Sequence, residues 1–317
     1  MKAKTGKALV ISLVSAVVLV TAILIGGGAY MVRYALLLEL NYDQEEEIER
    51  VGRKYELLKP WIEDLTAAGI MKDTVILTPS GEHHRAFYAA ADSTSGRTAV
   101  IVHGYTSNAL DMMMIGRMFR DSLGWNVLLP DLHAHGASEG RGIQMGWKDR
   151  LDVERWIGVA HDIFPCDTML VHGISMGGAT TMMLSGDELP EYVRAFIDDC
   201  GYSSVWDQFK KELKEDFGLP SFPLLNCASL ICRIRFGWDF KTASAVNQLA
   251  KCTKPVLFIH GDIDDYVLTE NVYKVYEAKT NGYKDMWIVP DTDHANAYRN
   301  HPAEYTQKVR EFLKEAL

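Results

Sequence analysis

The chain has 317 residues, 48% hydrophobic and 24% charged, which is enough for one large α/β domain with accessories and crowded for two full domains. A net charge of −9 with no basic stripe interleaved with aromatics argues against nucleic acid as a partner. The five cysteines, Cys166, Cys200, Cys227, Cys232 and Cys252, lack C-x-x-C spacing. They point to neither a zinc site nor a disulfide framework, and Cys227 and Cys232 could pair only outside a regular helix.

Lys2, Lys4 and Lys7 precede the uncharged apolar stretch Ala8 to Val32, which Arg33 closes. About 25 such residues span a bilayer. The lysine excess predicts a single-pass anchor over residues 1–34 with a cytoplasmic N-terminus and the remaining mass extracytoplasmic. The alternative is a cleaved signal peptide with small residues at Gly27-Gly28-Ala29 and a secreted product, although its apolar core would usually be only about 7–15 residues. The run Gly26-Gly27-Gly28 would also permit close helix contact. Residues 35–72, with Glu45, Glu46 and Glu47 ahead of Arg50, Arg53 and Lys54, read as a solvated stalk or a leading helix without chemistry.

From Asp73 to Leu317 the pattern is that of one domain. Strands are predicted at 74–77, 85–91, 98–103 and 126–129, with a helix over Ala109–Leu123 and another over Gly146–Phe164. A strand from Thr168 feeds a short helix, and further strands follow at 195–198, 255–260 and 285–289, with helices over Glu270–Lys279 and Ala303–Leu317. This alternation implies a mostly parallel sheet with helices on both faces. Residues 204–251 break the rhythm. They hold no clear strand but contain Pro220, Pro223 and apolar clusters such as Leu224, Leu225, Leu230 and Ile231, which suggests a mainly helical cap over a site, with an ordinary surface excursion as the plainer alternative.

Within TMLVHGISMGGATTMM (168–183), an apolar run ends at Gly173 and small residues begin after Ser175. The serine therefore sits at a sharp strand-to-helix corner, where side chains at Gly173 or Gly177 would collide with converging backbone. The corner aims the hydroxyl out of the sheet and offers the N–H of Met176, at a helix N-terminus, to a developing oxyanion. Serine is a weak nucleophile on its own, so it needs a base and a carboxylate to orient that base. Both should follow later strands in this order. HGDIDDYV (260–267) supplies Asp262, Asp264 and Asp265, and DTDHA (291–295) supplies His294, with His301 as a competitor placed beside Pro302 at a helix start.

HGYTSN (103–108), Asp131 with HGASEG (135–140), GISMGG, and HGDIDDYV followed by DHA fall in the family order of the α/β-hydrolases. The chain resembles in particular the uncharacterised membrane-anchored serine hydrolases of Gram-positive bacteria, and more loosely the acyl and cinnamoyl esterases of that superfamily. The resemblance covers about Asp73 to Leu317. It implies an α/β-hydrolase fold, Ser175 as nucleophile, His294 as general base and acid, and Asp264, at the HGxxDxxV position, as the orienting carboxylate. It also implies the Tyr105 backbone N–H as second oxyanion donor, and no cofactor or metal. The family usually has proline after that valine where this chain has Leu268, which alters loop stiffness and removes no catalytic group. His103, His133, His135 and His172 read as loop or strand histidines of structural use.

The expected reaction is hydrolysis of a small-molecule acyl ester, with a peptide, amide or thioester as alternative substrate on the same residues. Met112, Met113 and Met114 and the apolar cap lean toward an apolar acyl group, although methionines at that spacing are also what a helix core requires. A non-catalytic binding module on the same fold is the remote alternative. The sequence does not fix an oligomeric state.

Overall fold

The structure, a computed structural model, describes residues 2–37 and 41–317. Met1, residues 38–40 and the side chains at 2–6 and 8 lie outside the described set, and with them the side chains of Lys2 and Lys4 and part of the expected 35–72 segment. In chain order the elements are α1 (Lys2–Leu36), α2 (Gln44–Lys54), α3 (Leu58–Ala67), β1 (Met71–Leu77), β2 (His83–Ala89) and β3 (Arg97–Val102). An irregular helix follows, made of a tight turn at Ala109–Met112, α4 (Met113–Arg117) and a π turn at Met118–Ser122, where the sequence predicts one regular helix. Then come β4 (Asn126–Pro130), α5 (Asp149–Ile163), β5 (Thr168–Ile174), α6 (Met176–Leu184) and β6 (Val193–Asp199). The chain continues through α7 (Val205–Phe217), α8 (Leu224–Phe236), α9 (Ala245–Leu249), β7 (Val256–Gly261), α10 (Glu270–Ala278), β8 (Lys284–Val289), α11 (Ala297–Asn300) and α12 (Pro302–Ala316).

The sheet has eight strands in the order β1-β2-β4-β3-β5-β6-β7-β8. Strands β3 to β8 run parallel, and β2 is antiparallel to both β1 and β4. This is the α/β-hydrolase fold. The central strands are continuous apolar runs because helices cover both faces. Val100, Val102, Met169 and Val171 point into one layer with Trp156, Ile157 and Met182. Their neighbours Ala99, Ile101, Leu170 and Ile174 point into the other, with Met113, Phe119 and Phe312, as the period of two along a strand requires. Edge strand β1 exposes Lys72 and Asp73, charges that discourage edge pairing.

Of the two readings for the charged segment after α1, helices fold. The Asp43 carboxylate caps α2 by accepting from the Glu46 N–H at 3.0 Å, and Val51, Leu58, Ile62 and Leu65 are buried against the body. The charges stay hydrated on one side and pair on the other: Arg50 reaches Asp111 at 2.8 Å, and the Asn108 side chain donates to Glu47 at 2.6 Å.

Residues 204–251 form α7, α8 and α9, with α7 capped by Ser204 at its start and closed by left-handed Gly218 (φ 65°). Cys227 and Cys232 lie within regular helix α8 and are free. The apolar stretch Leu9–Leu36 is one continuous helix, a candidate membrane span, with a mean hydropathy of 2.8 over its most apolar 18 residues. Its last turns are part of the fold: Val32 and Leu36 are buried, the Tyr105 hydroxyl donates to the Ala35 carbonyl at 2.8 Å, and the Ile143 N–H donates to the Leu36 carbonyl at 2.8 Å.

Candidate active site

Ser175 follows β5, Tyr105 follows β3, Asp264 follows β7 and His294 follows β8, so four separate loops meet at the C-terminal edge of the parallel strands, where open α/β sheets place their crevices. Ser175 has φ 58° and ψ −118°, a left-handed conformation costly for a side-chain-bearing residue. The corner is held from both sides. The Ser175 N–H donates to the Asp199 carbonyl at 2.8 Å, and its own carbonyl accepts from the Ala179 N–H at 2.9 Å as α6 begins. A Cβ on Gly173 would overlap the Gly177 carbonyl, and one on Gly177 would overlap the carbonyl of Val102. Both positions need glycine for close approach rather than for φ.

The Ser175 hydroxyl lies 2.8 Å from His294 Nε2, and His294 Nδ1 lies 2.7 Å from Asp264 Oδ2. The second Asp264 oxygen accepts the N–H groups of Tyr266 and Val267 at 3.0 and 2.9 Å, which locks the carboxylate plane. Burial alone would raise the Asp264 pKa, but hydrogen bonds from His260 and His294 outweigh it and hold the group at about 2. Of the three carboxylates open in the sequence, Asp264 is the buried one that reaches the histidine. Asp262 and Asp265 are exposed, and Asp262 accepts the Thr292 N–H at 3.3 Å, which braces the loop that carries His294. His301 stands at the start of α12, its ring donating to the Pro290 carbonyl at 3.2 Å.

The Tyr105 loop reaches the serine through Gly104: a Cβ there would stand 3.3 Å from the Ser175 Cβ. The loop is held by imidazoles used as acceptors. His103 Nε2 accepts the Leu132 N–H at 2.9 Å while its Nδ1 donates to the Gly104 carbonyl at 2.8 Å. His135 Nε2 accepts from the Thr106 N–H at 3.3 Å, and His133 Nε2 from Arg141 at 3.1 Å. Burial keeps all three neutral, His103 and His133 at about 4 and His135 at about 3. Buried Asp131 gathers the same loops, accepting from Ala109 at 2.8 Å, Ala137 at 3.0 Å and Arg85 at 3.2 Å.

Behind the corner lies a polar layer that motif reading does not reach. Tyr305 stands between His172 Nε2 and the Asp199 carboxylate, at 2.9 Å from each. Asp198 accepts the Gly201 N–H at 3.0 Å. Burial raises Asp198 to about 8 and Asp199 to about 6. The only sequence signal is the Asp198-Asp199 pair ending the strand beside β5. Away from this corner, half-buried Glu82 and buried His84 and His133 bring one metal-competent atom each to within 4.8 Å of one another. A second such group, Cys200, Asp264 and His294, lies at the corner, where Asp264 already bonds His294 and His294 bonds Ser175.

Two spaces meet at Ser175. One, of about 630 Å³, is walled by Phe209, Leu213, Leu225 and Phe240 of residues 204–251 and by the end of α1. The other, of about 580 Å³, is polar, lined by Arg50, Lys54, Asn108, Asp111 and His294. Tyr105 and Tyr266 border both, and the Tyr266 ring packs 5.0 Å from that of His294. Met112, Met113 and Met114 are all buried, and Met112 and Met114 also line the polar space. These methionines are core first and cavity wall second.

The family model described as the prolyl oligopeptidase family (Peptidase S9) matches residues 144–317. The chain is 31% identical over 246 residues to the uncharacterised protein YqkD of Bacillus subtilis, covering 77% of this chain and 80% of that protein. Among solved structures it resembles the esterase Pf2001 of Pyrococcus furiosus, with a TM-score of 0.64, 24% identity, and 80% and 95% of the two chains covered. It also resembles Est1E of Butyrivibrio proteoclasticus, bound to ferulic acid, with a TM-score of 0.61, 19% identity, and 77% and 98% covered. These two likenesses bear on the fold.

Proposed function

The chain belongs to the prolyl oligopeptidase family and is a serine hydrolase of the α/β-hydrolase fold, and on that premise we propose that it cleaves carboxylic acyl esters through Ser175, His294 and Asp264. The observation that carries this reading is the unbroken hydrogen-bond chain Ser175–His294–Asp264, set on a serine in a left-handed backbone conformation.

In the proposed reaction the Ser175 oxygen attacks the ester carbonyl carbon as His294 takes its proton. The N–H groups of Met176 and Tyr105 hold the oxyanion, and ionised Asp264 keeps the imidazole oriented and stabilises its charged form. His294 then protonates the departing alcohol. Water, deprotonated by the same histidine, adds to the acyl carbon, and the carboxylic acid leaves as Ser175 regains its proton. The acyl part lies in the apolar space and the alcohol part in the polar one. Fluorophosphonate labelling that is lost in both Ser175→Ala and His294→Ala tests this, and labelling that persists in Ser175→Ala would overturn it.

A peptide substrate is the second reading, favoured by the family match itself. Matched ester and amide substrates separate the two, since an amide cleaved as readily as its ester would move the assignment to a peptidase. We further propose that Leu9–Leu36 anchors the protein, with the N-terminus cytoplasmic and the catalytic domain extracytoplasmic. What supports this is the unbroken apolar helix and the burial of its last turns in the fold. A reporter that is active only in the cytoplasm, fused after Leu317, would contradict that orientation by its activity, and processing of the full chain near Gly28 would favour secretion.

A further inference from the structure

The two ends of α1 have different surroundings. From Leu9 to Ile25 its large apolar side chains are exposed, apart from half-buried Leu24, whereas Val32 and Leu36 are core residues of the folded domain. About 20 helical residues cross the hydrocarbon layer. Counted from Leu9, where the apolar span begins, the helix leaves that layer near Gly28. At this level the cap meets it: a Cβ at Gly28 would stand only 3.0–3.1 Å from the backbone of Ala228 and Cys227, and one at Gly27 2.9 Å from the Leu224 side chain. The start of α8 therefore sits at the bilayer surface, and the loop before it exposes Phe222 (74%). Tyr30, Arg33 and Tyr34 follow on α1, residue types that settle at the headgroup level. Tyr30 and Tyr34 pack edge-on against Phe217 of α7, with ring centroids 6.5 and 5.3 Å apart.

The same turns of α1 form one wall of the apolar space that ends at Ser175. Tyr30, Met31, Tyr34 and Ala35 line it opposite Leu213 and Leu225. The helix that would cross the membrane is thus also a side of the acyl cavity, and the polar space with Arg50 and Lys54 lies on the far side of the serine. We infer that the substrate is an amphiphilic carboxylic ester of the bilayer itself, whose acyl chain passes from the membrane surface between α1 and the cap helices to Ser175 while its polar part occupies the groove lined by Arg50, Asn108 and Asp111. This rests on the serine-esterase and anchor readings above. The chemistry needs no reagent beyond water: the acyl–oxygen bond of the ester breaks, the alcohol takes the proton carried by His294, and the acyl group is released as a carboxylic acid.

The test uses the full chain in phosphatidylcholine vesicles. Umbelliferyl palmitate is placed either in the enzyme's own vesicles or in separate ones, with umbelliferyl butyrate in solution as the short-chain reference and fluorophosphonate labelling as the measure of an intact serine. The palmitate ester should turn over about tenfold faster from the enzyme's own bilayer. Met31→Trp and Leu225→Trp, which fill the cavity from α1 and from α8, should each lower the palmitate-to-butyrate ratio by about tenfold, the effect of denying the cavity to roughly two methylenes. Where one variant does not label, the other, on a different helix, carries the comparison. Equal rates from both vesicle populations, or an unchanged ratio in a variant that still labels, would overturn the inference with the esterase reading intact. A wild type that neither labels nor cleaves either ester would remove the esterase reading, and the inference with it.

Discussion

The proposed reactivity of Ser175 rests on three constraints that coincide on it: a left-handed backbone, a histidine nitrogen at 2.8 Å and a carboxylate behind that histidine at 2.7 Å. Asp264→Asn keeps the shape but presents an amide where the imidazole needs an acceptor, so kcat should fall by about three to four orders of magnitude, with folding retained by circular dichroism. A loss of less than tenfold would demote Asp264. Because Asp264 is held at about 2 against an ordinary 3.8, its contribution to stability is complete above about pH 4 and disappears as pH falls through about 2.

The buried loop histidines titrate with a different window. His135, at about 3 against an ordinary 6.5, stays neutral in the fold while the unfolded chain takes up a proton. Stability is therefore lost as pH falls from 6.5 toward 3, at up to about 1.4 kcal/mol per pH unit. Asp198, raised to about 8, works in the opposite sense, favouring the fold at low pH and losing that contribution as pH rises through 8. Comparing His135→Gln with wild type isolates the histidine. The variant's denaturation midpoint should fall less steeply below pH 6.5, and parallel pH profiles would contradict the assignment.

At the scale of elements, α1 and the cap depend on each other. Gly28 faces backbone of α8, whereas nothing stands within 4 Å of a Cβ at Gly26. Gly28→Leu should destabilise the full chain in detergent by about 1–3 kcal/mol through overpacking, while Gly26→Leu should leave the melting temperature unchanged or raised. Equal effects would mean that the close approach contributes nothing. This contact was not legible in the sequence, because hydropathy reports a helix's tolerance for lipid and says nothing about which of its turns a distant segment will cover. The segment after α1 was ambiguous for a related reason. Its charges read as solvated, yet Glu47 and Arg50 are taken up by Asn108 and Asp111 of a loop some sixty positions away.

Over the whole molecule, what was readable were the features that local sterics impose. Glycines at 173 and 177 are required wherever this corner forms, and apolar runs alternating with amphipathic stretches leave little freedom beyond a parallel sheet covered on both faces. The ordered motifs then led to Ser175, His294 and a choice among three nearby carboxylates, a choice that depends on burial and so on tertiary structure. Tyr305, Asp199 and His172 were out of reach because they meet only after three separate elements pack. The irregular geometry of residues 109–122 likewise has no local signal, since MMMIGRMF satisfies a regular helix equally well.

The proposed mechanism stands on Ser175 being an activated nucleophile. Fluorophosphonate labelling of the full-length chain, in wild type, Ser175→Ala and His294→Ala, tests it most directly. An activated Ser175 gives a labelled wild type, no labelling of Ser175→Ala, and labelling of His294→Ala slowed by at least about three orders of magnitude. A folded wild type that does not label, or a Ser175→Ala variant that does, would contradict it.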